Sequence, residues 1–257
     1  MIKEMEVILP VVKLKNFNLN RGSYSSFVST IINWGLQRRP STICVANVHM
    51  FIEAQNNPDF LKIINEADMV TPDGKPICWA LKLLNGVEQD RVAGMDLLPD
   101  LLKEMDDKQM SVYFYGGSQE MLDATQAHIT AHYPRVKIAG MHSPPFGIIP
   151  AEEAAKQVDN INASMPHILF VILGCPKQEK WMAANKHRLN TVAIGVGGAL
   201  PVLTGMQKRS PKWMQDAGLE WLYRLGQEPK RLFKRYAVTN SKFIGIVMSE
   251  FLKKKKK

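Results

Sequence analysis

Chemistry that moves a proton needs a side chain able to take one, and Asp73 is the first candidate. The segment Ala67-Asp68-Met69-Val70-Thr71-Pro72-Asp73-Gly74-Lys75-Pro76 reads as a strand end, a turn and a helix start, with Asp73 at the tip. A carboxylate placed there can face a cleft and accept a proton from a substrate hydroxyl. Asp followed by Gly is also what a tight turn or helix cap uses, so both roles stay open on this segment alone. Asn47, just after the apolar run Ile43 to Ala46, has the same strand-end location. Its plainer role is to cap a helix that begins at Val48-His49.

Two glycine loops could hold phosphate. Tyr113-Phe114-Tyr115-Gly116-Gly117-Ser118 leads into the helical segment from Gln119, which would let backbone N–H groups approach an anion with the helix dipole behind them. Gly195-Val196-Gly197-Gly198 offers a second such turn, although close strand-to-helix packing uses glycine too. No GxGxxG and no Walker lysine pattern occurs, so the loops point to phosphate more than to a dinucleotide. Metal ligands are weakly patterned: there is no D-x-D, and apart from the spacing of His128 and His132 the six histidines are scattered, His49 and His187 reading as structural residues. Without a metal, a departing phosphate must be stabilised by cations and backbone dipoles. Arg91, in Asp90-Arg91-Val92-Ala93-Gly94, and the arginines of the C-terminal tail are the candidates.

These residues need a scaffold. Short apolar runs alternate with segments of helical period. Strands are predicted at Met5 to Val12, Thr42 to Ala46, Met69 to Thr71, Ser111 to Tyr115, Lys137 to Gly140, Ile168 to Gly174 and Thr191 to Val196. Helices are predicted at Ser23 to Gln37, Pro58 to Glu66, Pro76 to Leu84, Asp96 to Glu104, Gln119 to Ala131, Ala151 to Asn162 and Pro176 to Lys186. The runs are mostly continuous and rich in Val and Ile, as in a parallel sheet covered on both faces. The fold class is therefore α/β, a Rossmann-like parallel-sheet sandwich of about seven strands, with ligands expected at the carboxyl ends of the strands. After about Gly205 the strand signals stop, which divides the chain into a catalytic domain, 1–205, and a helical basic appendage, 206–257. In the last segment Leu232, Phe233, Tyr236, Phe243, Ile244, Val247, Phe251 and Leu252 recur at helical steps with Lys230, Lys234, Arg235 and Lys242 interleaved. Such a basic amphipathic helix either lies on a membrane or packs on its own domain.

Charge sharpens this division. The 257 residues carry 33 Lys and Arg against 24 Asp and Glu, a net charge of +9. From Arg224 onward there are eleven bases against Glu228 and Glu250, leaving 22 of each sign in the first 223 residues. A neutral body with a basic tail is a poor general binder of nucleic acid, which needs cations spread over a face. The tail asks for a localised anionic partner. Cys44, Cys78 and Cys175 are too few and scattered for a disulfide framework and read as reduced thiols. No run approaches the length of a membrane span, and the N-terminal residues lack the apolar core of a signal peptide.

Several motifs together resemble the WecG/TagA/CpsF glycosyltransferases, family 26. They are Thr71-Pro72-Asp73-Gly74, Arg91-Val92-Ala93-Gly94-Met95-Asp96-Leu97, Leu173-Gly174-Cys175-Pro176-Lys177-Gln178-Glu179, Gly195-Val196-Gly197-Gly198, Thr204-Gly205, Lys208-Arg209-Ser210-Pro211-Lys212-Trp213 and Gly218-Leu219-Glu220-Trp221-Leu222-Tyr223-Arg224-Leu225. The resemblance runs in order through essentially the whole chain. It implies an inverting, metal-independent transfer of a sugar from a UDP-sugar to a polyprenyl-diphosphate-linked sugar, undecaprenyl in bacteria, for cell-surface or exopolysaccharide synthesis. No cofactor is implied, and the location is peripheral, on the cytoplasmic face of the bacterial inner membrane.

The resemblance also implies roles. Asp73 matches the general base, Asn47 and Gln178 match residues that hold the sugars, and Arg91 matches an arginine directed at the cleft. The appendage is implied to dock on an anionic membrane surface and bring arginines over the site, with Arg224, Arg231 and Arg235 at matching or adjacent positions and Lys234 where another arginine is expected. Oligomers that dissociate at the membrane are implied as well. The chain departs from the family at Val45, where Thr is frequent, and at Ala199-Leu200-Pro201, where Thr-x-Asp is frequent. The second departure removes a carboxylate that could contact the donor, leaving UDP-glucose or UDP-N-acetylmannosamine (or its uronic acid). The patterns Glu228-Pro229-Lys230-Arg231 and Arg235-Tyr236 lean toward exopolysaccharide members and glucose. Against these expectations stand a nucleotide-cofactor oxidoreductase or methyltransferase, for which Val12-Lys13-Leu14-Lys15 offers no glycine fingerprint, and a non-catalytic membrane adaptor.

Overall fold

The structure is a computed structural model that describes residues 9–145, 147 and 150–256. Six strands form one all-parallel sheet: β3 (Ser41–Ala46), β4 (Met69–Pro72), β5 (Ser111–Gly116), β6 (Lys137–His142), β7 (Ile168–Ile172) and β8 (Val192–Gly195), in the order β4-β3-β8-β7-β5-β6. Every residue of β3, β4, β7 and β8 is buried, as strands covered on both faces must be. The edge strand β6 is only partly buried.

The first predicted strand is corrected. Residues 5–8 lie outside the described part of the chain, and the segment that follows does not join the sheet. It forms a separate antiparallel hairpin of β1 (Val11–Leu14) and β2 (Phe17–Asn20), whose first strand alternates exposed and buried positions. Asn20 ties the hairpin to the sheet by accepting from the Val70 N–H at 2.8 Å.

Helices cover both faces. On one side α1 (Tyr24–Leu36), α5 (Gly94–Asp107) and α6 (Gln119–His132) bring Phe27, Ile31, Leu97, Leu101, Leu122 and Ile129 onto β5, β7 and β8. The other side holds α2 (Val48–Asn56), α3 (Pro58–Asn65), α4 (Lys75–Asn85), α7 (Ala151–Ala163) and α8 (Lys177–Asn185). Capping explains several starts: Ser23, Asn47, Asn57 and Ser118 each accept from the N–H three residues on.

After β8 come a short 3-10 turn at Gly197–Ala199, α9 (Leu200–Leu203), α10 (Lys212–Asp216), α11 (Glu220–Gln227) and α12 (Pro229–Lys255). At 27 residues α12 is about 40 Å long. Of the two expectations for it, packing on its own domain holds for one of the two faces on which its apolar residues fall. Leu232, Phe243 and Val247 are buried, Phe243 and Val247 within the core under α2, where the Phe51 and Phe243 rings meet edge to face at 5.4 Å. Phe233, Ile244, Met248 and Leu252 stay exposed, at 67, 61, 47 and 54 %. Among the described residues no helix is long and apolar enough to cross a membrane.

Candidate active site

A cavity of about 650 Å³ opens at the carboxyl ends of β3, β4, β7 and β8, with residues of α11 and α12 along its far side. The backbone builds its floor. Asp73 follows β4 directly, and its N–H donates to the Ala46 carbonyl at 2.8 Å, so the ends of β4 and β3 are pinned side by side with Asp73 next to Asn47. Gly74 then turns the chain into α4 with φ of +101°, a conformation that a side chain would resist.

The Asp73 carboxylate makes no hydrogen bond or ion pair among the described residues. Burial, followed by repulsion from Glu220, pushes its pKa up to about 7, against the opposing pull of Arg91 and Arg224. A carboxylate poised at that value is protonated and deprotonated at comparable cost near neutrality, which suits a general base. Asn47 takes its helix-capping role and also faces the cavity. Its side-chain oxygen caps α2 by accepting from Met50 N–H at 3.1 Å, and the exposed side chain lines the cavity.

Gln178 is buried under the β8 turn. Its Oε1 accepts from Gly174 N–H at 3.1 Å and its Nε2 donates to Glu179 at 2.7 Å. A Cβ on Gly195 would come within 2.7 Å of Nε2, and one on Gly197 within 3.1 Å of Oε1. Glycine is required at this turn because the Gln178 amide lies directly against it. Gly198 is approached from the opposite side, since a Cβ there would meet Arg224 Nη2 at 2.9 Å.

The first glycine loop is arranged differently from its sequence. Gly117 lines the cavity, but its N–H donates to the Ile172 carbonyl at 3.1 Å and is not open to a phosphate. Gly116 is not on the cavity wall: with φ of +106° and a would-be Cβ 2.6 Å from the Ile172 carbonyl, it is glycine because β7 passes so close. Ser118 caps α6.

The arginines fall into two groups. Arg91 lines the cavity, yet its guanidinium, 9 % exposed, is held by Asp96 and Glu220 at 2.6 Å each. Burial opposes its charge, but Asp96, Glu220 and Asp73 outweigh that and raise its pKa. Arg231 is at the cavity too, but it is exposed and donates to Glu228 at 2.8 Å. Lys234 is exposed and stands off the cavity. Arg224 and Arg235, in contrast, are half-buried on the cavity wall, and among the described residues the Nε of each is buried without a hydrogen-bond partner. Arg235 also stacks over Tyr236 at 5.1 Å. Buried donors of this kind are costly unless a ligand accepts from them.

Sequence reasoning missed the partners of Arg91. Glu220 stood in view within the Gly218 to Leu225 block, but nothing local links it to a residue 129 positions away. His49 was taken as structural. Its Nδ1 is buried 3.8 Å from Glu53, it lines the cavity, and burial and Arg235 lower its pKa.

A strand-end carboxylate and two unpaired guanidinium groups lining one cavity over a parallel sheet make an arrangement suited to an enzyme acting on an anionic substrate. The chain belongs to the glycosyl transferase WecG/TagA/CpsF family, whose model matches residues 12–257, and it is a glycosyltransferase. A relative from Bacillus spizizenii, N-acetylglucosaminyldiphosphoundecaprenol N-acetyl-beta-D-mannosaminyltransferase, is 34 % identical over 80 % of this chain and 79 % of its own length. Proteins of the same name from Bacillus subtilis and Staphylococcus aureus are 31 % and 30 % identical, over 79 % and 84 % of this chain and 80 % and 81 % of their own lengths.

Proposed function

We propose that the protein transfers N-acetylmannosamine from its UDP derivative to undecaprenyl-diphosphate-linked N-acetylglucosamine, with inversion and without a metal. The observation that carries this is the pair Arg224 and Arg235, half-buried with unpartnered donors on the cavity that Asp73 also lines. Asp73 would take the proton from the acceptor hydroxyl as that oxygen attacks the anomeric carbon. The bond from that carbon to UDP breaks on the opposite face, and the guanidinium forks offset the charge gathering on the diphosphate. Among the described residues no three His, Cys, Asp or Glu side chains gather as a metal site, so these arginines are the cations to hand. For the donor, the relatives' names favour N-acetylmannosamine over the glucose suggested by the Glu228 to Arg231 pattern. A β-linked product from an α-linked nucleotide sugar also requires inversion.

The exposed Phe233, Ile244, Met248 and Leu252, spaced by eleven, four and four residues, form one apolar stripe on α12 beside Lys230, Lys234 and Lys255. Such a stripe suits the surface of an anionic membrane, the cytoplasmic leaflet where a prenyl-linked acceptor is anchored. Away from lipid the same stripe would join copies of the chain, so an oligomer that comes apart on the membrane belongs to the same proposal. The test is transfer in EDTA from UDP-N-acetylmannosamine and UDP-glucose to a synthetic prenyl-diphosphate N-acetylglucosamine, with product stereochemistry read by NMR. A β-linked N-acetylmannosamine product is expected. A retained configuration, a divalent-metal requirement or preferred use of glucose would each overturn the corresponding part.

A further inference from the structure

Arg91 is shared between the body and the appendage. It follows α4 in the chain, and its two Nη atoms reach Asp96 on α5 and Glu220 on α11, each at 2.6 Å. Gln215 on α10 accepts from Arg91 Nη2 at 3.3 Å, and Asp96 is also paired with Arg209. The seam is closed two residues before Glu220 by Trp79, whose ring lies where a Cβ on Gly218 would meet it at 2.6 Å. Asp73, Asp96 and Glu220 all act on this one guanidinium, and of the three only the Asp73 carboxylate makes no hydrogen bond or ion pair of its own among the described residues.

We propose that Glu220 is a positioning residue through which the docked appendage arms the base: by sharing Arg91 with Asp96, it keeps that guanidinium from pairing with Asp73. Undocking would remove Glu220 and free one face of Arg91, and Asp73 is the remaining acid close to it. An Asp73–Arg91 ion pair would leave the carboxylate too weakly basic and too firmly held to take a proton from the acceptor. The base would thus work only when α11 is seated, which ties chemistry to the state in which Arg224 also reaches the cavity. The inference rests on Asp73 being the base.

The groups around Asp73 are Glu220 and Arg224 from α11, Arg91 from the loop after α4, Asp96 from α5, and Cys78 of α4, with Lys75 of α4 on the same cavity. Glu220→Gln removes the charge that holds Arg91 while keeping the side chain's size. Its kcat/KM is expected to fall about ten-fold at its plateau, and its acid limb to move down by about 1–3 pH units as Arg91 turns to Asp73. The double variant Glu220→Gln with Arg91→Met is expected to move the acid limb back up, because no guanidinium is left to pair. Loss of the Glu220 charge with Arg91 unmoved would shift the limb the same way, so a crystal structure of the single variant is the second readout: Arg91 is expected within hydrogen-bond distance of the Asp73 carboxylate, and an Arg91 still turned away from it overturns the proposal. An unmoved limb in the single variant, or equal limbs in single and double variants, overturns the proposal. Full activity of Asp73→Asn would instead overturn the assignment of the base.

Discussion

The state of Asp73 can be tested by pH alone. Burial and Glu220 hold its pKa at about 7, so the deprotonated fraction is about one tenth at pH 6 and about nine tenths at pH 8. If the deprotonated carboxylate is the base, kcat/KM rises about ten-fold across that interval and is lost as pH falls through about 7. Asp73→Asn removes the base without changing its shape and is expected to cost about 10²- to 10⁴-fold, within the range of general base catalysis. Stability should move the other way. A carboxyl raised from 3.8 to about 7 favours the folded state fully below the unfolded value and loses that contribution as pH rises through about 7. The Asn variant is therefore expected to be more stable than the parent at pH 8, by up to about 4 kcal/mol before solvent screening is allowed for, and to melt at a higher temperature. The assay pairs initial rates on a UDP-sugar and a prenyl-diphosphate acceptor with melting curves at pH 5 and pH 8. A flat rate profile between pH 6 and 8, or an Asn variant within ten-fold of the parent, would refute the reasoning.

Other expectations follow from the same geometry. Arg224→Ala should lower kcat about 10²- to 10³-fold, as for loss of a donor to developing charge, whereas Arg231→Ala, exposed and paired with Glu228, should change it only a few-fold; equal effects in initial-rate assays would contradict the division between them. Glu179, 1 % exposed, is pushed up to about 7 by burial against the opposing hydrogen bonds of Gln178 and Cys175, so its contribution to stability too is lost as pH rises through about 7. In Glu179→Gln the fall in melting temperature from pH 5 to pH 8 should be shallower than in the parent. Replacing Ile244 and Met248 by Ser should weaken sedimentation with anionic vesicles about ten-fold or more, given about 1.5–3 kcal/mol for each large apolar side chain fully buried, and leave the folded core unchanged.

What was legible in the sequence is what depends on near neighbours in the chain. The strands β3, β4, β7 and β8 were visible as unbroken apolar runs because burial on both faces leaves no polar position to interrupt them. Asp73 was visible because a strand end followed by Asp-Gly and a helix start has a local signature. The β1–β2 hairpin was hidden: four-residue strands joined through Lys15, at φ of +59°, carry too few alternations to stand apart from the apolar run before them. Gly116-Gly117-Ser118 resembled a phosphate loop because glycine answers two needs alike, room for a ligand and room for β7, and only the neighbouring strand decides which. On α12 the three- and four-residue steps looked like one stripe, since the sequence does not say which apolar residues the body has already covered.

The same distinction governs the positive charge. The appendage carries an excess of bases, but its acids determine which of them can act. Glu228 takes Arg231, and Glu220 takes Arg91 of the body. Arg224 and Arg235 are left half-buried with donors unmatched, so seating the appendage over an empty cavity costs free energy. A diphosphate that accepts from them removes the cost. Coupling of this kind is reciprocal: a ligand that binds the seated form better must stabilise that form by the same factor. An acceptor anchored in the membrane would then draw α11 down as it binds, bringing Glu220 onto Arg91 and releasing Asp73 in the same step. The base would be freed only where a diphosphate is present to use it.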